Sequence, residues 1–327
     1  MAEWLVEEGI GEDRAIQLDH GIITHAILDW HDDLRSGQVE EAKLLQRTAG
    51  SSRGFARFAN MQHALVDRLP ADASEGAAIR LEVTRAAINE ERRSKPAQAR
   101  PTDKPLNAGQ TLADTLNNAG KSVRIVRKFP DCDWDELLSD AIDRRVSYEG
   151  GELHFSLTPA MTLIDVDTNL DPANGALTAV PAIATSLKRF CLGGSIGIDF
   201  PTVQTKGQRR AVDDALSASL ADWPHERTAM NGFGFVQIVA RLERQSLLHM
   251  VNFRQSRSQI YQLFRQAEHL EGSGAIELRG DSALFEVWLE PEERLLQELR
   301  RRTGKDIRIV YDDNLASRGP HAQLVSR

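Results

Sequence analysis

Apolar and polar positions alternate from the start of the chain. Residues 3–8 and 14–19 alternate around a turn-like segment at 9–12, and residues 21–28 are apolar and β-branched. Three strands are predicted there, closed off by a polar boundary at residues 32–38. Short alternating runs continue at 54–58 and 79–84, with Glu75-Gly76 as a turn between them. Several short strands with turns between them predict a small closed β-barrel from Val39 to about Arg100. Residues 94–107 are rich in proline and charge and read as a linker.

Beyond the linker, helix and strand alternate. Residues 111–119 form a helical pattern stopped by Gly120. Val123–Val126 is a short strand, and 133–144 is an amphipathic helix with Leu137, Leu138, Ala141 and Ile142 on its apolar side. Two strands at 152–157 and 161–166 flank Thr158-Pro159. A helix is expected over 177–190 with Pro181 near its first turn. A buried strand over 195–200, a helix over 208–220, the strand Phe235–Ala240 and a helix over 256–270 follow. Near the end, Pro291 with Glu292 and Glu293 marks a helix start. Arg300, Arg301, Arg302 and then Gly304 mark its end. Strands at Ile307–Tyr311 and 323–325 close the chain, and there is no internal repeat.

Composition narrows the class. The 327 residues are 41% hydrophobic and 27% charged, ordinary globular values. No apolar run approaches the roughly 20 residues that span a bilayer, and the first residues carry no leader pattern, so a cytoplasmic protein is expected. Cys132 and Cys191 are too few for a disulfide framework or a four-cysteine zinc site, and read as small buried hydrophobes. A net charge of −8 argues against a uniformly basic surface for nucleic acid. It leaves room for a local basic groove and for a cluster of metal-binding carboxylates.

Such a cluster is visible. One strand carries Asp165 and Asp167, which share a face at i and i+2, and the next ends in Asp199. A helix lies between the two strands, so they can run parallel with carboxyl ends side by side, where α/β sheets hold ligands. Hard oxygen ligands in a partly hydrated cluster suit Mg²⁺. Strand-end aspartates also serve as turn formers and helix caps. Lys206, Arg209 and Arg210 follow Asp199 at a helix start, able to grip phosphate or to form a solvated face. Asn231-Gly-Phe-Gly-Phe235 is either a base-stacking stretch or a tight turn leading into the core. His154 and His225 read as structural, and there is no Ser–His–Asp order, GxGxxG or P-loop.

These residues resemble the catalytic region of the ribonuclease E/G family. Gly150-Gly151 leading to Thr162-Leu-Ile-Asp165-Val-Asp167 is similar to the family's Gly-Gly-x-apolar strand followed by Leu-Thr-x-Ile-Asp-x-Asn. Leu192-Gly-Gly-Ser-Ile-Gly-Ile-Asp199-Phe200, Gln208-Arg-Arg-Ala-Val212 and Phe233-Gly234 extend the likeness, which runs from about Trp134 to Leu248. The resemblance implies that Asp165 and Asp199 hold Mg²⁺; Asp167, on the same strand face as Asp165, is counted with them as a catalytic candidate. It implies that the barrel is an OB-type RNA-binding domain of the ribosomal-protein-S-one class, inserted in an RNase H-like subdomain. Lys95 falls at an RNA-contacting lysine, and Phe55 and Phe58 lie near the barrel's stacking positions. The family's Cys-Pro-x-Cys zinc link is absent, so any homo-oligomer would form without it. The segment before the catalytic motifs is too short for a full 5′-monophosphate sensor, and Asp167 stands where the family has Asn.

The resulting expectation is an α/β (α+β) protein with an RNase H-like/DNase I-like catalytic core. Strands of the RNase H-like subdomain occupy 1–38, the OB-type barrel 39–100, the DNase I-like catalytic region 105–255 and a small α/β subdomain 256–327. Its function would be Mg²⁺-dependent endonucleolytic hydrolysis of single-stranded RNA, gripped by Lys95, Lys206, Arg209, Arg210, Phe55 and Phe58. A non-catalytic RNA-binding protein on the same scaffold is the alternative. A haloacid-dehalogenase-like phosphatase fits Asp165-Val-Asp167-Thr168 but lacks that family's Thr or Val at Asn169.

Overall fold

The structure is a computed structural model that describes residues 3–89, 94–242, 244–286, 289–315 and 319–326. The opening alternation forms β1 (Trp4–Glu8), β2 (Glu12–Asp19) and β3 (Ile22–Trp30), an antiparallel meander. The β1–β2 turn requires glycine at position 11. Its φ is +80°, and a Cβ there would lie 2.3 Å from the Tyr261 ring.

The chain then enters a closed barrel. Its staves are β4 (Val39–Arg47), β5 (Gly54–Arg57), β6 (His63–Val66) and β7 (Ala78–Arg85). After the short pair β8 (Ile88–Asn89) and β9 (Ser94–Lys95) comes the fifth stave, β10 (Ala97–Pro101). The order is β10-β6-β5-β4-β7, with β10 parallel to β6 and antiparallel to β7, consistent with an OB-type barrel. Ala42, Leu44, Ala56, Ala64, Val66, Leu81 and Val83 point inward and fill it. The stretch 94–107 is therefore not all linker. Ala97 and Ala99, both fully buried, alternate inward despite the surrounding prolines and charges.

Next come α1 (Leu112–Asn118) and β11 (Val123–Val126). Thr111 and Asp114 form a capping box at the start of α1, and Gly120 follows at φ +73°. β11 pairs parallel with β1, giving a four-stranded sheet in the order β11-β1-β2-β3. In α2 (Trp134–Asp143), Leu137, Leu138 and Ala141 are buried as expected, but Ile142 faces solvent.

The largest sheet has six strands: β12 (Arg145–Tyr148), β13 (Gly151–Leu157), β14 (Thr162–Thr168), β15 (Gly194–Asp199), β16 (His225–Arg227) and β17 (Phe235–Ala240). Their order is β12-β13-β14-β15-β17-β16, and only β14 and β15 pair in parallel. Helix α3 (Pro172–Arg189) joins that pair, and α4 (Lys206–Ser219) packs beside it. α3 starts five residues before the predicted point. Asp171 caps it by accepting from the Asn174 amide and Pro172 occupies its first turn, so Pro181 sits inside the helix. α3 lies between this sheet and β3, burying Ala176, Ala179, Val180, Ile183 and Leu187.

The chain ends with α5 (Leu247–Phe253), α6 (Gln255–Glu268), β18 (Ala275–Gly280), α7 (Ser282–Glu286), α8 (Leu289–Thr303), β19 (Ile307–Tyr311) and β20 (His321–Val325). The last three strands form a sheet in the order β19-β18-β20. The side chains of Pro291 and Glu292, expected at a helix start, lie outside the described residues. Among the described residues, no helix is long and apolar enough to cross a membrane.

The barrel also separates two residues that the sequence had grouped. Phe58 is 2% exposed and packs inside, whereas Phe55 points outward from β5. Phe58→Ala is expected to cost about 3–5 kcal/mol of stability, and Phe55→Ala to stay within about 0.5 kcal/mol. Urea denaturation of both variants checks this. Equal destabilisation would contradict the assignment.

Candidate functional site

The six-stranded sheet has one covered and one open face. Along β14, Ile164 and Val166 are buried under α3 while Asp165 and Asp167 are exposed. Along β15, Ile196 and Ile198 are buried and Asp199 is exposed. The parallel register sets Asp165 directly opposite Asp199. In β13, His154 stands opposite Asp165, and Glu152 opposite Asp167. His154 Nε2 lies 3.3 Å from Asp167 Oδ2 and 3.6 Å from Glu152 Oε2, and Arg145 Nη1 lies 3.6 Å from the same Glu152 oxygen. A row of ionisable groups thus runs across the open face and ends at the paired aspartates.

Partial desolvation, then the carboxylates of Asp167 and Asp199, push Asp165 above its ordinary range, and His154 works against them. That is the electrostatic condition a cation relieves. Among the described residues, no group of three or more His, Cys, Asp or Glu is arranged to hold a metal ion. Two facing carboxylates still suit Mg²⁺, which commonly keeps several waters and takes one or two carboxylates from the protein. The donor chemistry fits; a cage of protein ligands is not present among the described residues.

The basic residues divide. Thr205 and Gln208 cap α4 reciprocally, so Lys206 begins the helix just beyond the Asp199 end of β15 and is exposed. Arg210 is exposed, with only a 4.0 Å approach to Asp214. Arg209 is committed elsewhere: its Nη1 donates to the carbonyls of Val203 and Gln204, both at 2.9 Å, and so holds the loop after Asp199. Lys95 borders a small cavity with Met161, Thr162, Gly194 and Ser195, at the starting ends of β14 and β15. Three residues of strand, about 10 Å, separate that end from the carboxylates.

The barrel lies apart from the carboxylates in sequence and carries its own exposed strip. Phe55 on β5 pairs with Leu65, and Arg57 with both His63 and Lys43. Phe58 belongs to the barrel core and cannot offer its ring to a base. Arg57, His63 and Lys43 escaped the sequence reading because barrel register was needed to place them beside Phe55. His154 was read as structural because the polar side of β13, Glu152 and His154, faces the aspartates only once β13 pairs with β14.

No family model matches the chain. It is 26% identical over 207 residues to Ribonuclease G of Escherichia coli (strain K12), a match covering 55% of this chain and 42% of that protein. It is 29% identical over 203 residues to Ribonuclease G of Haemophilus influenzae, covering 54% of this chain and 41% of that protein. Each match therefore spans well under half the length of the relative concerned.

The raised Asp165 predicts a pH dependence. A carboxyl held above its unfolded value contributes stability when protonated, and that contribution is lost as pH rises through the folded value. Asp165→Asn should therefore raise the melting temperature of the metal-free protein at neutral pH, with the gain shrinking as pH falls through the carboxylate range. Thermal melts in EDTA across that range check it. A gain that is absent at neutral pH, or that grows on acidification, would contradict it.

Proposed function

We propose that this chain is a metal-dependent endoribonuclease acting on single-stranded RNA. The observation that carries the reading is the pair Asp165–Asp199, set side by side on an exposed face by adjacent parallel strands. The similarity to Ribonuclease G supports the reaction class, although it covers only about two-fifths of those proteins. The closed five-stranded barrel supports a nucleic-acid-binding module, since OB-type barrels bind oligonucleotides on an outer face. In this reading the barrel is inserted between parts of an RNase H-like subdomain, and the six-stranded sheet is the DNase I-like catalytic region.

Asp165 and Asp199 would hold Mg²⁺. When bound, the ion supplies an activated water and neutralises charge on the phosphate being cut. The remaining work falls to the chain's own residues. Lys206 and Arg210 bind phosphates beside the aspartates, and Arg209 keeps the loop between them in shape through Val203 and Gln204. Lys95 extends the track toward the other end of the strands. Phe55, with Arg57, His63 and Lys43, binds RNA on the barrel. Asp167 completes the acidic edge and holds His154 at 3.3 Å. A second reading, RNA binding without cleavage, is favoured by one observation: among the described residues no third carboxylate or histidine completes a metal cage.

A labelled single-stranded RNA incubated with and without Mg²⁺ separates these readings. Cleavage that needs Mg²⁺, lost by about 10³-fold or more in Asp165→Asn and in Asp199→Asn with unchanged circular dichroism, is the expected result. Tight binding with intact RNA in both conditions would establish the second reading instead. Near-wild-type cutting by either variant would remove the metal assignment.

RNA affinity should also fall with salt, by a slope of about −0.7 per phosphate contact on single strands. Lys206→Ala and Arg210→Ala should each lessen that slope by about 0.7, measured by fluorescence anisotropy across a salt series. Slopes unchanged in both variants would place the phosphate track elsewhere.

A further inference from the structure

The turn before β17 holds an aromatic ring in solvent, and the function described above gives it no task. Phe233 is 85% exposed, more than any other large hydrophobic side chain among the described residues. A phenyl group left in water is ordinarily a cost that folding removes. Here the local structure instead fixes the backbone from which the ring projects. Asn231 Oδ1 accepts from the amides of Phe233 at 2.8 Å and Phe235 at 3.1 Å. The Asn231 amide donates to the Phe235 carbonyl, and the Gly234 amide to the Asn231 carbonyl. Gly234 sits at φ +89°, where a Cβ would lie 2.5 Å from the Phe200 carbonyl oxygen, and its own carbonyl accepts from the Phe200 amide. The turn is thus bonded to the residue that follows Asp199.

Its address matters as much as its rigidity. Phe235 is the register partner of Asp199, and its ring covers Gly197 on the open face. Two residues of chain, at most about 7 Å, separate Phe233 from that partner. Across the same loop, Lys206 and Arg210 lie exposed at the start of α4. A phosphate held by these cations beside the aspartates would place a flanking base within reach of the phenyl ring.

We propose that Phe233 is a stacking platform for the base next to the scissile phosphate, and that it sets the register of single-stranded RNA across Asp165 and Asp199. The proposal rests on the reading of this site as an RNA-cutting one. Stacking accepts every base because each has a π-face, so the contact fixes position with little sequence demand. Purines, with more overlap, should be held somewhat more tightly there.

The test uses the full chain in EDTA, so that binding is read without cleavage. Short single-stranded RNAs carry 2-aminopurine at successive positions, and quenching reports stacking. Wild-type protein should quench one position strongly. Phe233→Ala and Phe233→Leu should lose that quenching and about 5- to 150-fold in affinity, while Phe233→Trp retains both. Cleavage mapped afterwards in Mg²⁺ should fall beside the quenched base. Quenching and affinity unchanged in Phe233→Ala would overturn the proposal, even if RNA is cut. So would Phe233→Leu behaving like wild type, because an apolar contact would then suffice. Quenching that depends on Phe233, with no cleavage in Mg²⁺, would uphold the platform and refute the nuclease reading. An absence of RNA binding by the wild type would refute both.

Discussion

The in-register parallel pairing of β14 and β15 is the constraint on which the rest depends. Side chains alternate along a strand, so a one-residue slip of β14 would turn Asp165 and Asp167 into the core and expose Ile164 and Val166, and a slip of β15 would do the same to Asp199, Ile196 and Ile198. Those four residues, none more than 4% exposed, fix the register by burial. Parallel neighbours need a long crossover, and α3 provides it while covering the apolar face. Gly197 then leaves room for Leu163 and the Phe235 ring, both within 3 Å of where its Cβ would be. Placement of the carboxylates is thus a by-product of core packing, and their repulsion is the expense the fold carries for it.

A second constraint joins the barrel to the remainder. Asp32 and Asp33, where β3 leaves for β4, are met by residues from the far side of the sequence. Arg254 and Arg257 reach Asp33 at 2.7 and 2.8 Å, and Tyr261 donates to Asp32 at 2.7 Å. Burial alone would push Asp33 up, but Arg257 and Arg254 outweigh it and hold it below the usual carboxylate range. Both guanidinium groups lie over the Trp30 ring, and Gln62 from the barrel donates to the Asp32 carbonyl and to Asp33. Buried ion pairs of this kind add little net stability but penalise wrong geometries strongly. Here they fix the angle at which the barrel meets the core.

Much of this was legible in the sequence, for identifiable reasons. The aspartates stood out because each strand carried apolar residues on alternate positions up to its carboxylate. The barrel was legible from short alternating runs, and α1 from the Gly120 that stops it, whereas its Thr111–Asp114 capping box was not noticed. What escaped depended on pairing. β12 and β16 are short edge strands whose alternation is too brief to register alone. β10 hid behind prolines and charges because its inward residues are alanines, too small to announce a core. Phe55 and Phe58 looked equivalent. They stand three positions apart, so strand alternation alone sends one ring out and the other in, a parity that grouping them overlooked. The commitment of Arg209 to two backbone carbonyls could not be read from a run of basic residues.

The claim that the two strand ends together hold a divalent ion is open to direct observation without any RNA. Titrating the protein with Mn²⁺ and following the free ion by electron paramagnetic resonance counts sites and reports their affinity, and Mg²⁺ can then be added to compete. The account predicts one site per chain that Mg²⁺ displaces, weakened in Asp165→Asn and in Asp199→Asn alike. Identical Mn²⁺ uptake by the wild type and both variants would contradict it.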